Sequence, residues 1–448
     1  MDESIKTILY SWIDKKIPPL KQRSITLDEY INAKPRKIIV ATGFRRCGKT
    51  CLLLRLISTL LVENRKDEAF YINFEDERIS RDKKFLSDLI PSIKETFFVE
   101  PKFLFLDEIQ DMPDWSRWLR RIYDNYDISL FVTGSSSKVS SHEIPTELRG
   151  RCLEVKVFPL SFKEFLVFKE IQVDNQTAQY SENIRATVVK ALDEFLFYGG
   201  MPEVVLAPEE KKIEILQQYY STVVSKDISE RFRIRNDEAL KALLRLLINS
   251  NRYSISKIYN TLKSMGYAVG KTSLANYIGY IESSYFLISV PVISPKIKEQ
   301  MQCPRQVYLI DNGFISALST RFSKNFGRLY ENAVAIELMR RAAFDTTIHY
   351  WKDRFGKEVD FAVKTGTEVQ QLIQVCYEIS HPDTKERETS AILRASIELE
   401  CDNLLIITGD YEGTEKVHNK TIQFIPLWKW LCNDPVYGQG PKLSGFHP

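Results

Sequence analysis

Residues 43–50 read Gly43-Phe44-Arg45-Arg46-Cys47-Gly48-Lys49-Thr50, the spacing of a phosphate-binding loop. That chemistry needs these residue types. Glycines let successive backbone N–H groups converge on phosphate oxygens, and a helix beginning at the end of the loop adds the positive end of its dipole. Lys49 would then neutralise the β- and γ-phosphates of a nucleoside triphosphate, and the Thr50 hydroxyl would complete a magnesium shell. The expected nucleotide contacts are Gly43, Arg46, Cys47, Gly48, Lys49, Thr50 and Cys51, with ATP and Mg2+ as the ligands. A glycine-rich turn carrying Lys-Thr by chance fits poorly, because an apolar strand pattern precedes the loop and a helical pattern follows it.

A second feature belongs with the first. The apolar run 102–106 ends in Asp107-Glu108, and an acid at the carboxyl end of a parallel strand faces the crevice where such sheets bind ligands. Asp107 is expected to hold magnesium through its water shell, and Glu108 to polarise the attacking water as a general base. No acceptor site for phosphoryl transfer is recognisable, which favours hydrolysis over kinase chemistry. Cys47 reads as a small filler inside the loop, with sensitivity to oxidation as the other reading.

These groups need a frame. Short buried strands at 37–41, 69–74, 102–106 and 129–133 alternate with helical or polar connections, which predicts a parallel sheet with helices on both faces. From 162 to about 235 the apolar spacing is helical, broken once by the turn Tyr198-Gly199-Gly200-Met201-Pro202-Glu203. Helices follow over 238–290, closing on strand-like pairs at 285–290 and 306–310. Beyond 327 comes a helix at 329–342, strands at 348–351, 358–363 and 371–376, a charged helix at 384–399 and a strand at 403–408. The expected divisions are a lead segment (1–36), a core (37–160), a helical lid (161–236), a third domain (237–320), a fourth (321–410) and a tail (411–448) whose last dozen residues are mobile.

Composition sets the limits. The 448 residues are 44% hydrophobic, 27% charged and 12% aromatic, values that exclude wholesale disorder, collagen-like sequence and a disulfide mini-scaffold. With 62 Lys and Arg against 59 Asp and Glu the net charge is +3, so any nucleic-acid site must be a local patch. No run approaches the roughly 18 apolar residues of a membrane helix, and the acidic start lacks the basic region of a signal peptide. Seven cysteines and five histidines without paired spacing make neither a disulfide framework nor a zinc site. A cytoplasmic chain is expected.

With these residues in place the chain resembles the AAA+ ATPases. More closely, it resembles prokaryotic predicted ATPases that pair such a core with a C-terminal domain of unknown function. The residues that carry the likeness are 43–50, Leu106-Asp107-Glu108-Ile109-Gln110, Val132-Thr133-Gly134-Ser135-Ser136, Leu148-Arg149-Gly150-Arg151 and the turn at 199–203. The resemblance implies that Ser135, or Ser136, senses the γ-phosphate, although a turn capping a helix fits the same residues. It implies that Arg149 or Arg151 is offered to a neighbour's nucleotide, where a guanidinium stabilises the transferring phosphoryl group. A plain surface arginine fits equally. It also implies that Pro202 opens the lid beside the adenine, and that the active form is an oligomer, hexameric by resemblance.

Residues 254–290 resemble a winged helix. Its second helix would be capped by Thr272 or Ser273 and would present Lys271, Thr272 and Asn276 to DNA; use for packing alone is the other reading. Residues 327–408 resemble the PD-(D/E)xK nuclease fold, in which a helix Glu, a strand Asp and a Glu-x-Lys on the next strand assemble around magnesium. Glu331 and Asp360 match that pattern, while Gln374 stands where the acid should be and Cys376 where the lysine should be. The module therefore reads as a pseudo-nuclease. The resulting expectation is α/β architecture throughout, with a phosphate-loop AAA+ core and helical lid, then a winged helix and a nuclease-like α/β module. The expected activity is that of a magnesium-dependent ATPase that remodels or translocates DNA, including branched repair or replication intermediates such as four-way junctions. A nucleotide-dependent switch acting on a protein partner is the alternative, and DNA cleavage is a third reading.

Overall fold

The computed structural model describes residues 3–62, 68–134, 146–172, 182–320 and 325–433. The chain forms two compact units, residues 1–159 with 283–285, and residues 160–282 with 286–448.

In the first unit five strands, β1 (Ile38–Thr42), β2 (Ala69–Asn73), β3 (Phe103–Asp107), β4 (Ser129–Gly134) and β5 (Cys152–Lys156), form a parallel sheet in the order β2-β3-β4-β1-β5. Four helices cover it: α1 (Glu3–Ile13), α2 (Lys49–Val62), α3 (Lys83–Phe97) and α4 (Trp115–Asn125). Side chains alternate along each strand. Ile38, Val40, Phe70, Ile72, Leu104 and Leu106 therefore build one apolar layer with α1, α3 and α4, while Ile39, Ala41, Tyr71, Phe103 and Phe105 build the other with α2. The lead segment is part of this core rather than an appendage. Ile5, Ile8 and Leu9 of α1 are buried, the Trp12 indole donates to the Ala69 carbonyl at 3.3 Å, and Arg36 donates to the carbonyls of Tyr123, Tyr126 and Ile128.

The second unit begins with α5 (Phe162–Phe168), α6 (Glu182–Tyr198), α7 (Pro202–Leu206) and α8 (Glu209–Thr222), the last running into a π-helical stretch at Val223–Glu230. Next come α9 (Asp237–Ile248), α10 (Ile255–Ser264) and α11 (Lys271–Ser283), with an antiparallel sheet β6-β8-β7 made from Arg252–Tyr253, Arg305–Leu309 and Leu287–Val290. A short helix, α12 (Ile297–Gln302), rides on the β7–β8 connection, and α13 (Asn312–Leu318) follows. The final part is α14 (Phe326–Arg341), a mixed sheet ordered β13-β14-β12-β11-β10-β9, α15 (Pro382–Glu398) and α16 (Leu427–Cys432). Its strands are β9 (Thr346–Lys352), β10 (Glu358–Thr365), β11 (Glu368–Cys376), β12 (Leu404–Thr408), β13 (Gly413–Val417) and β14 (Lys420–Pro426).

Two expectations need correcting. Residues 411–433 are not a tail: β14 lies parallel to β12 and buries Ile422 and Phe424, and β13 pairs antiparallel with β14. The hairpin between them turns at His418 and Asn419, both with φ near +50 to +64°, the left-handed pair that a two-residue turn requires. The other concerns β5, absent from the expected strands because its side chains are at most half-buried and present no apolar run. The segment 437–448 expected to be mobile lies outside the described residues.

Candidate nucleotide site and carboxylate cluster

The phosphate loop follows β1 and leads into α2. Its backbone takes conformations open to few residues: Gly43 has φ +149°, Arg46 +66° and Gly48 +102°. A Cβ on Gly43 would lie 2.1 Å from the Val157 carbonyl oxygen, so no other residue fits there. The buried Cys47 thiol rests 3.1 Å from the same carbonyl, which supports its reading as a filler, and burial pushes that thiol's pKa up. Cys51 is exposed on the first turn of α2.

The reacting groups converge at the carboxyl ends of β1, β3 and β4. Lys49 is 4% exposed, donates to the carbonyls of Gly43 and Phe44 at 3.1 Å each, and lies 3.6 Å from a Glu108 carboxylate oxygen. Asp107 is 2% exposed and accepts from the hydroxyls of Thr50 and Tyr71, each at 2.7 Å, and of Thr133. Burial raises its pKa, against the lowering pull of those hydroxyls. Glu108 sits in the left-handed region at φ +55°, its N–H donating to Thr133 Oγ1 at 3.0 Å and its carboxylate accepting from Gln110 at 2.6 Å. That backbone turn points consecutive acids in different directions, one at Thr50 and the other at Lys49. Thr50 and Asp107 are hard oxygen donors in direct contact, the kind of partial shell that magnesium completes with phosphates and water.

Three roles at the site escaped the sequence reading, although Thr133 stands in a motif noted there. Tyr71 and Thr133 hold Asp107 from β2 and β4, positions that only strand pairing brings together. Arg23, in the lead segment, donates to the Cys47 carbonyl at 2.8 Å and to the Phe158 carbonyl at 3.0 Å, tying the back of the loop to the chain that leaves β5.

The other expected site residues separate. Ser135 and Ser136 lie outside the described residues. Arg151 is taken up by Asp124 of α4 at 3.0 Å, whereas Arg149 is exposed. In the second unit Pro202 opens α7 after a turn built on a buried carboxylate. Asp311 accepts from the Gly200 N–H at 2.7 Å and the Gly313 N–H at 2.9 Å, and burial pushes its pKa up to about 7. Gly199 has φ +79°, and a Cβ there would overlap the Asp311 carboxylate. Asp311 is 111 positions from Gly200, too far for any local pattern to announce.

Lys271, Thr272 and Asn276 are all exposed on α11. The helix starts at Lys271, two residues earlier than a Thr272 cap would place it, so Thr272 is inside it. The Gly270 carbonyl accepts the first turn's bond from Leu274 at 3.0 Å, and a glycine needs no side chain for that role.

Glu331 on α14, Asp360 on β10 and Gln374 and Cys376 on β11 do come close together. Asp360 accepts from the Val375 N–H at 2.9 Å, and its own N–H donates to the Gln374 amide oxygen at 3.2 Å. The Gln374 amide nitrogen donates to Glu388 of α15 at 2.8 Å. Glu331 and Asp360 meet acid against acid, while Glu358 pairs with Arg252 at 2.6 Å and Glu388 with Arg387 at 2.5 Å. Burial, then repulsion from Glu358, pushes Glu331 up to about 7, and burial with the Glu331 charge raises Asp360 well above the usual carboxylate range. Cys376 is buried and Lys357 is engaged with Ser390 at 3.0 Å. Among the described residues no group of three or more His, Cys, Asp or Glu is arranged to hold a metal.

Residues 35–166 match the family described as AAA domain, 189–325 a domain of unknown function (DUF8612) and 326–430 another (DUF4143). The middle match runs across the boundary expected at 236. Uncharacterized protein MJ1544 of Methanocaldococcus jannaschii is 40% identical over 425 residues, covering 92% of this chain and 91% of that protein. An uncharacterized protein of Haemophilus influenzae is 27% identical, covering 90% and 96%. Among solved structures, the Walker-type ATPase PABY2304 of Pyrococcus abyssi is 16% identical, with a TM-score of 0.44, covering 68% of this chain and 99% of that one. Among the described residues no helix is long and apolar enough to cross a membrane.

Proposed function

From the premise that this chain belongs to the family of MJ1544, phosphate-loop ATPases of the AAA+ superfamily with C-terminal domains of unknown function, we propose that it is a magnesium-dependent ATPase whose cycle acts on DNA. Lys49 binds the β- and γ-phosphates, and the loop N–H groups hold the remaining oxygens. Thr50 and Asp107 hold Mg2+, which when bound offsets charge on the phosphate oxygens. Glu108, set apart from Asp107 by the left-handed backbone, orients the water and takes its proton. Arg149 is the arginine that a protomer offers to its neighbour's nucleotide in a ring assembly, because Arg151 is already committed to Asp124.

One observation carries the DNA reading. Residues 237–320 hold nine Lys and Arg against five Asp and Glu, four net positive charges, while the rest of the chain carries one net negative charge. The field is concentrated on the module that resembles a winged helix and that exposes Lys271, Thr272 and Asn276 on α11. Such a patch neutralises backbone phosphates and gives salt-sensitive binding. The nuclease-like module, with Gln374 and Cys376 in place of acid and lysine, contributes a surface and not a cut. The test is ATP hydrolysis at low and moderate salt, alone and with single-stranded, duplex or four-way-junction DNA, with Glu108→Gln as the variant that binds without turnover. One DNA form should raise the rate several-fold and lose that effect as salt rises. A rate flat across every DNA would sink the reading and move the search to protein partners.

A further inference from the structure

The β7–β8 connection carries an exposed apolar pair framed by cations. Ile297 and Met301 of α12 are 74% and 75% exposed and, four positions apart, share one face of the helix. Lys296 and Lys298 flank Ile297, both exposed, and neither forms an ion pair among the described residues. The one acid of the helix, Glu299, is turned back to accept from the Ser294 hydroxyl at 2.6 Å. Two lysines against this one acid leave the tip one net positive charge.

The base of this projection is fixed. Val292 bridges to Tyr350 of β9, with Ile293 N–H donating to the Tyr350 carbonyl at 2.7 Å and Tyr350 N–H to the Pro291 carbonyl at 3.0 Å. The Tyr350 hydroxyl closes the other leg on the Pro304 carbonyl at 2.5 Å, and Gln300 donates to the Ser294 carbonyl at 2.6 Å. Two large apolar side chains are thus held out in water on a short, braced helix, an arrangement that burial against a partner would stabilise.

We propose that Ile297 and Met301 form a wedge that enters a base step of duplex DNA while Lys296 and Lys298 contact the flanking phosphates. The inference rests on the DNA reading above. An apolar side chain inserted from the minor groove unstacks a step and kinks the duplex, and the cost is offset by added backbone contacts. The charge argues for nucleic acid over a protein groove, since the tip extends the module that holds the chain's net positive charge.

The experiment uses the full chain and a duplex carrying 2-aminopurine, whose fluorescence rises when its base unstacks. Wild type should bind with a rise in fluorescence. Ile297→Ser/Met301→Ser should bind within about threefold of wild type with an unchanged salt slope, unaltered DNA-free ATP hydrolysis and no rise. Lys296→Ala/Lys298→Ala should lower the salt slope by about 2. If the serine variant unstacks the duplex like wild type, the wedge is wrong and the DNA reading stands. If wild type ignores the duplex at low salt, the DNA reading fails and the wedge with it. Loss of self-association in the serine variant, with DNA binding and unstacking unchanged, would reassign the pair to a protein contact and overturn the proposal.

Discussion

Among the described residues carboxylates meet beside the phosphate loop and again around Asp360, and the two places are provisioned differently. Beside the phosphate loop, Asp107 is surrounded by the hydroxyls of Thr50, Tyr71 and Thr133, and Glu108 faces Lys49. In the C-terminal domain Glu331 and Asp360 face one another beside Glu358 and Glu388, whose arginine partners are Arg252 and Arg387, with a neutral Gln374 between strands and a thiol at position 376. The first set surrounds its acids with hydroxyl donors and a lysine. The second has acids raised toward their neutral forms and no lysine to fix a nucleophile. What separates the two carboxylate sites is their partners and not the count of acids.

The largest expected effect tests whether the first site is complete within one protomer. Arg149→Ala should cut ATP hydrolysis about 10³-fold, the scale of a lost arginine finger. Arg151→Ala breaks only an exposed pair with Asp124 and should change the rate less than about threefold. Mixing Arg149→Ala with Glu108→Gln should restore part of the activity, since each protomer supplies what the other lacks. Equal losses in the two arginine variants, or no recovery on mixing, would place the arginine elsewhere.

The second site should reveal its crowding through pH. Glu331 titrates near 7 when folded and near 4.3 when unfolded, so the native state holds a proton that the unfolded chain releases first. Stability is then fully present below about pH 4 and falls as pH rises through 7. Glu331→Gln removes that fall and should stabilise the chain at pH 8 by about 3–4 kcal/mol relative to its effect at pH 4, with ATP hydrolysis unchanged. Urea unfolding at the two pH values decides it, and an equal effect at both would show that the carboxyl is relieved by its Arg252 and Arg328 neighbours.

The same contrast explains what could be read from the chain. The phosphate loop is a local pattern, with Gly43, Gly48, Lys49 and Thr50 within eight positions, and so are β1 to β4, whose side chains are nearly all buried. Glu331, Asp360, Gln374 and Cys376 could be placed together by motif order. Tyr71 and Asp311 could not, because each meets its partner only through strand or helix packing between distant segments. β5 and the β13–β14 hairpin were missed for a different reason: half-buried strands alternate weakly, and a His418-Asn419 turn lacks the Asn-Gly signal.

Arg23 sharpens the first half of the comparison, because it holds the loop's backbone from the lead segment. Its guanidinium bridges the Cys47 and Phe158 carbonyls, and a charge-assisted bond of this kind contributes about 1.5–3 kcal/mol. The Gly48 N–H lies on the opposite side of the peptide whose carbonyl is that of Cys47, so releasing that carbonyl loosens the loop's grip on phosphate without altering Glu108. Arg23→Ala should therefore raise KM for ATP about tenfold with kcat within about threefold. Arg23→Lys, which reaches one carbonyl but cannot bridge both, should fall between alanine and wild type. A drop in kcat at unchanged KM would instead place Arg23 in the chemical step, and an unaltered enzyme would mean that the loop is fixed by Gly43 and Cys47 against Val157 alone.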